Sequence, residues 1–210
     1  MNETLAEWID ALASAAPAPG GGAAAALQVC AGAALVEMVC NLTIGRDKYA
    51  GVEPLMIETR AAVRALRAQA DTLRVDDSAA FGEVSRAYAL PRTTLDERAT
   101  RSSQIQLALR RATEVPLQCC ATGVAVLERA EAIAAVANRN VISDIGAAAI
   151  AAKAGADASA LNVRINLAAI KDNDFCSTTA TTLDDLLGRA ARSATATLAA
   201  VDAVIKRKPA

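Results

Sequence analysis

Asp77, Asp144 and Lys48 are side chains of types that can move protons. They matter because histidine is absent from all 210 residues. Without it there is no Ser-His-Asp or Cys-His catalysis and no imidazole metal site. Acid–base work near neutral pH falls to carboxylates, lysine, tyrosine or cysteine. Asp77 shares a helical stripe with Ala80, Phe81 and Val84, at i, i+3, i+4 and i+7. A carboxylate on such a face is partly desolvated and its pKa rises. The other reading is an exposed Asp76-Asp77 pair at a kink. Asp144 follows Ser143, a good N-cap, so it also suits a first-turn charge complementing the helix dipole. Lys48 and Arg46 follow Gly45 and equally suit a basic helix C-terminus. Asp76, Asp77 and Asp144 lack the Glu-x-x-His pattern of di-metal bundles, and no metal is expected.

Two further stretches bear on binding. Ala18-Pro19-Gly20-Gly21-Gly22-Ala23 stops one helix and starts another. A helix opening on glycines presents bare N–H groups to an anion, or simply packs closely after a tight turn. The Gly-Lys-Ser/Thr ending of a phosphate loop is missing, and so is Gly-x-Gly-x-x-Gly, so nucleotide binding is not supported. Asn162 and Asn166 share a helix face. Asp144 lies on that face too, but about 27 Å from Asn162 along an unbroken helix. They must contact opposite ends of a long ligand, or meet through a symmetry mate, or only one is functional.

These residues need helices to hold them. The chain is 53% hydrophobic but only 2% aromatic, so its core is built of thin side chains and close helices. Spacing predicts a helix over 3–15 with a capping box at Thr4-Leu5-Ala6-Glu7. A helix over 22–44 is apolar nearly all round and therefore central, with Glu37 one turn before Asn41. Glu53-Pro54 opens the third helix, which Leu90-Pro91-Arg92 ends. Thr94-Leu95-Asp96-Glu97 caps the fourth, which Pro116 should kink or split before about residue 137. The fifth runs from Ser143 to about 170. Thr182-Leu183-Asp184-Asp185 resembles another capping box, and the last helix ends in Lys206-Arg207-Lys208. No strand pattern and no repeat competes. The expectation is one all-α domain over 1–210, a bundle of long helices joined by short turns.

Composition also narrows the partners. The 22 basic and 23 acidic residues balance, with no dense basic block and no aromatic interleaving, so no nucleic-acid partner is expected. Cys30, Cys40, Cys119, Cys120 and Cys176 are odd in number and lack Cys-x-x-Cys spacing. That argues against a disulfide frame or zinc site and for a reducing, cytoplasmic setting. No signal-peptide pattern is seen. The apolar run 23–39 reads as a buried core helix rather than a membrane span, since a span needs ~20 strongly apolar residues.

Several segments, taken in order, resemble one family. Pro19-Gly20-Gly21-Gly22-Ala23-Ala24-Ala25, then Met38-Val39-Cys40-Asn41-Leu42-Thr43-Ile44-Gly45 and Lys48-Tyr49, are similar to the start of the formiminotetrahydrofolate cyclodeaminase and methenyltetrahydrofolate cyclohydrolase family. Asp77-Ser78-Ala79-Ala80-Phe81 and Leu90-Pro91-Arg92 resemble its Asp-x-x-Ala-Phe and Leu-Pro-Lys segments. Asn140-Val141-Ile142-Ser143-Asp144 and Asn162-Val163-Arg164-Ile165-Asn166 resemble its Ser-Asp and Asn-Val-x-Ile-Asn segments. Ala23 stands where the family commonly has serine, and Arg92 where it has lysine. Arg46-Asp47-Lys48 replaces a lysine-rich run.

The resemblance implies an all-α homodimer acting on one-carbon units carried by tetrahydrofolate, with no tightly bound cofactor. It points to hydrolysis of 5,10-methenyltetrahydrofolate to 10-formyltetrahydrofolate. The alternatives are the ammonia-releasing cyclodeaminase reaction and a non-catalytic helical scaffold. It implies Asp77 as the base, Asp144 as pterin ligand or proton carrier, and Lys48 orienting water or acting as the acid. Asn162 and Asn166 would meet the pterin edge, with Asn41 and Phe81 also in the substrate-binding set. Gly20, Gly21 and Gly22 would form a wall and, with Arg46 or Arg92, receive the anionic glutamate tail.

Overall fold

The computed structural model describes residues 4–206, and the helices fall where the apolar periodicity puts them. They are α1 (Leu5–Ala13), α2 (Gly21–Thr43), α3 (Glu53–Ala89), α4 (Leu95–Ile133), α5 (Ile142–Leu167) and α6 (Asn173–Lys206). Short 3-10 turns at Asp47–Val52 and Arg139–Val141 lead into α3 and α5. No strand occurs among the described residues. Both capping boxes form: Thr4 with Glu7 on α1, and Thr94 with Glu97 on α4. Pro54 sits in the first turn of α3, where its missing N–H costs nothing. Gly45 ends α2 in the left-handed region, at φ 73°, which glycine adopts without a Cβ penalty.

Helix α2 is the centre. It packs against α3 on one side and α5 on the other; α4 closes the bundle against α3 and α5, and α6 covers α4 and α5. Its Val29, Ala33, Val36 and Val39 are wholly buried. It is long and apolar enough to cross a membrane, yet half of that window is already covered by its own neighbours. The thin side chains let backbones approach. A Cβ on Gly155 would lie 2.6 Å from the Ala25 carbonyl oxygen, and one on Gly32 would lie 2.9 Å from that of Ala148. The same pairs set direction: Gly32 meets Ala148 while Gly155 meets Ala25, so α2 and α5 are antiparallel.

Three expectations need correction. Pro116 does not split α4, which runs unbroken from Leu95 to Ile133. Proline removes the N–H that would bond the carbonyl of Ala112, one turn back. Asn166 of α5 supplies a replacement, its Nδ2 donating to Ala112 O at 2.6 Å. Ser143 is not an N-cap: the chain enters α5 through the 3-10 turn, and Ser143 is already helical, with Val141 in the cap position. Thr182 opens no helix either. It lies within α6, and its hydroxyl donates to Thr178 O at 2.9 Å, a back-bond within the helix rather than a cap. The third helix is unbroken from Glu53 to Ala89 and runs straight through Asp76-Asp77, as its opening at Glu53-Pro54 and its end at Leu90-Pro91 predict. Of the basic C-terminal run, Arg207 and Lys208 lie outside the described residues.

Candidate active site

The glycine-rich start of α2 and Asp77 of α3 meet. A Cβ on Gly22 would stand 2.6 Å from Asp77 Cγ and 2.8 Å from its Oδ2, so any larger residue would have to displace this carboxylate. The Ala23 N–H, in the first turn of α2, is directed at it. The loop and the aspartate are therefore one feature: a carboxylate seated on a helix N-terminus, held by glycine's missing side chain. Burial pushes the Asp77 pKa up, and the Ala23 N–H only partly offsets this. A carboxylate biased toward its neutral form is a better proton acceptor than a free one at the same site.

Beneath it the interior is closed. Cys119 and Ser159 are buried between α4 and α5, and burial raises the Cys119 thiol to about 11. Such a thiol is inert at neutral pH. All five cysteines are free.

The other residues singled out in the sequence separate into two groups. Gly20, Gly21, Gly22, Asp77, Asn162 and Asn166 lie toward the N-terminal end of α2. Asn41, Arg46, Lys48 and Asp144 lie at its C-terminal end. Twenty-one helical steps from Gly22 to Thr43 put these ends about 30 Å apart. So Asp77, Asp144 and Lys48 do not converge within one chain. At the far end Arg46 caps α2, its Nε donating to Leu42 O at 2.7 Å. Arg60 Nη1 donates to Asn41 Oδ1 at 3.2 Å. Glu37 pairs with Arg64 and Arg67 at 3.3 and 3.0 Å. Lys48 is exposed and hangs over the Tyr49 ring, 5.8 Å from its centre.

That end is organised by Tyr49 and Asn138, which the sequence reading did not weigh as site residues. The Arg139 N–H donates to Tyr49 Oη at 3.1 Å, and Asn138 Nδ2 donates to Leu42 O at 2.8 Å. Tyr49 lies in one of the segments that resemble the family, whereas nothing in the sequence singled out Asn138.

At the Asp77 end, both asparagine amides are engaged with backbone. Asn166 holds the Ala112 carbonyl, and Asn162 Nδ2 donates to Ala158 O at 3.0 Å. Each keeps its Oδ1 as an acceptor. Phe81 stands one turn beyond Asp77 on the same stripe and is 46% exposed, so it covers no core and faces outward beside the carboxylate. Arg92 lies further on, just past the end of α3.

The all-helical bundle is shared with a protein of known structure, and the sequence places the chain in a family. The family model described as Formiminotransferase-cyclodeaminase matches residues 4–185, and the chain belongs to that family. Within it, a methenyltetrahydrofolate cyclohydrolase from Methylorubrum extorquens is 45% identical over 189 residues, spanning 90% of this chain and 91% of that protein. A formimidoyltransferase-cyclodeaminase from Rattus norvegicus is 30% identical across 97% of this chain, which covers only 38% of that longer protein. Among solved structures, a formiminotetrahydrofolate cyclodeaminase from Thermotoga maritima superposes with a TM-score of 0.87 at 28% identity, covering 96% of this chain and 97% of that one.

Proposed function

We propose that the chain hydrolyses 5,10-methenyltetrahydrofolate to 10-formyltetrahydrofolate, with Asp77 as the base. The observation that carries this reading is the 45% identity to a named cyclohydrolase over nearly the full length of both chains. The Asp77 geometry supports it chemically.

The methenyl carbon sits between two ring nitrogens in an amidinium cation. An ionised Asp77 stabilises that cation and accepts a proton as water oxygen bonds to the carbon. The carbon–N5 bond then breaks, and the electron pair on N5 takes the proton that Asp77 carries. The hydroxyl of the intermediate loses its proton to solvent and becomes the formyl oxygen on N10. One water enters and one proton leaves. A positioned base of this kind contributes ~10²–10⁴-fold. The raised pKa of Asp77 suits both halves, since the group must accept a proton and then return it.

Gly22 sets the carboxylate, and Phe81 offers a face for the flat ring. Asn162 and Asn166 have acceptor oxygens for the pterin N–H groups. Lys48 and Asp144 join this reaction only from a second copy of the chain, and the reading takes the protein as a homodimer in which the far end of one copy faces Asp77 of the other.

Purified protein given each substrate alone tests the function. Loss of methenyl absorbance without ammonia release is the expected result. Ammonia release from the 5-formimino compound would replace this reading with the cyclodeaminase, which the superposition on the Thermotoga maritima enzyme favours. Failure to bind any folate analogue would leave only a scaffold.

A further inference from the structure

Beneath Asp77 lies a hydroxyl that the proposed chemistry does not use. Ser159 of α5 is wholly buried, and its Oγ has no hydrogen-bond partner of ordinary geometry. Other buried hydroxyls of the bundle are satisfied within their own helix. Thr43, Thr113, Thr122 and Thr197 each donate to the carbonyl four residues back, at 2.7–2.8 Å. Ser159 makes no such bond to Gly155 O. Among the described residues only Thr59 shares this state. Thr59 stands beside Arg60, about 27 Å back along α3 from Asp77.

Four helices bring side chains to the level of Ser159. Gly155 of α5 packs on Ala25 of α2. These helices are antiparallel, so one turn onward on α5 and one turn back on α2 set Ser159 level with Gly22, which seats Asp77 of α3. A Cβ on Gly123 of α4 would meet Ala152 O and Ala156 Cβ at 3.1 and 3.2 Å, while Ala112 of α4 is bonded by Asn166. Helix α4 is therefore antiparallel to α5 as well. Cys119 lies between those two contacts, falls at the same level, and is buried. Its thiol is in contact with the Ser159 hydroxyl, which favours the thiolate, and the charge of Asp77 reaches the same sulfur and opposes it.

Few groups therefore act on the carboxylate. Helix α2 gives the Ala23 N–H, α4 gives the Cys119 thiol, and α5 stands behind that thiol with Ser159. On α3 itself Asp76 is the next residue in the chain, and Arg74, one turn back, pairs with Asp71. Asp77 forms no ion pair among the described residues. With the thiol pushed up to about 11 it stays S–H at neutral pH, a donor and not a second charge. A hydroxyl that donates to the sulfur polarises the S–H and strengthens it as a donor. A buried hydroxyl without a full bond costs free energy, and its place beside the reaction centre calls for a reason.

We propose that Ser159 is a positioning residue for Asp77 and acts through Cys119. As Asp77 ionises, the Ser159 hydroxyl closes onto Cys119 Sγ, and the thiol S–H turns to the carboxylate from α4 while the Ala23 N–H holds it from α2. The carboxylate is kept charged and aimed until it accepts a proton from water. Once it is protonated the hydroxyl relaxes to its loose contact. The role in turnover rests on the reading of Asp77 as the base; the hydrogen-bond chain to Asp77 does not.

The test is a carbon-13 NMR titration of the aspartate carboxyls in the free full chain, with the Asp77 signal assigned by its loss in Asp77→Asn, beside the pH profile of kcat/KM. Ser159→Ala removes the hydroxyl and should raise the Asp77 titration midpoint by at least about half a pH unit, because the charged form loses a donor. Cys119→Ala should raise it as much, and Ser159→Ala should add nothing in that background. Cys119→Ser keeps an X–H donor and should hold the midpoint near the parent's. Thr59→Val removes the other unpaired hydroxyl and should leave the midpoint unchanged, so a general loosening of the bundle is told apart from an effect on Asp77. An unmoved midpoint in Ser159→Ala, an equal shift in Thr59→Val, or a full further shift on top of Cys119→Ala overturns the proposal. A midpoint that moves as expected while the acid limb of kcat/KM stays put upholds the hydrogen-bond chain and removes Asp77 as the base.

Discussion

Gly22→Ala is the sharpest test of how Asp77 is held. The new Cβ would stand 2.6 Å from Asp77 Cγ. Carbon atoms rest at ~3.5–4.0 Å, so the carboxylate must retreat by about 1 Å. A displacement of that size at a reacting group costs ~10²-fold in rate. The effect on stability works out much smaller. Overpacking costs ~1–3 kcal/mol, and replacing a helical glycine by alanine returns ~1 kcal/mol, leaving roughly 0–2 kcal/mol of destabilisation. Decay of methenyl absorbance gives the rate, and urea unfolding gives the stability. Gly21→Ala is the control for stability, because a Cβ there meets nothing within 4 Å. Turnover of the Gly22→Ala protein within twofold of the parent would refute the view that the glycine positions the base.

Other outcomes follow from the same structure. Asp77→Asn should lower kcat at least tenfold. Because burial raises the folded-state pKa of Asp77, its favourable contribution to folding is present at low pH and lost as pH rises through that value. The asparagine variant should therefore melt no lower than the parent at pH 7, which calorimetry would check. For the same reason the acid limb of the kcat/KM profile should lie above the ordinary aspartate value of ~3.9, and an acid limb at or below that value would contradict a desolvated base. Asn166→Ala should cost ~1–3 kcal/mol by leaving Ala112 O unpaired, and much less beside Pro116→Ala, which restores an N–H donor. Urea unfolding of the four proteins in that cycle measures the coupling. If two copies share a site, co-refolding inactive Asp77→Asn and Asp144→Asn proteins should restore roughly a quarter of parent activity, since half the random dimers keep one intact site of two. No recovery would confine the reaction to one chain.

Most of the fold was legible because alanine-rich helices announce themselves at both ends. Thr4–Glu7 and Thr94–Glu97 are local capping chemistry, and Pro54 and Gly45 obey backbone rules that need no tertiary contact. Two of the errors came from contacts beyond the local sequence. Pro116 reads as a break until Asn166, fifty residues later, bonds the carbonyl it frees. Thr182 reads as a cap because its neighbours in sequence suit one, whereas apolar packing along α6 carries the helix through. The site was legible in pieces. Asp77 and the glycines were both flagged, but their contact joins two helices and has no periodic signature. Nor does sequence show that α2 holds Lys48 and Asp144 a helix length away from Asp77.

The thin interior has a consequence for how the protein tolerates change. In a core of leucine and phenylalanine, the damaging substitution is the one that removes volume. Here α2 and α5 touch through Gly32, Gly155, Ala148 and Ala152, which have almost no volume to remove. Their failure mode is the reverse: a single added methyl pushes one backbone off another. A saturation scan of these positions should show a one-sided profile, with glycine and alanine accepted and nearly everything larger rejected. The helix that seats Asp77 is thereby fixed in place by exclusion, because its neighbours leave it nowhere else to go.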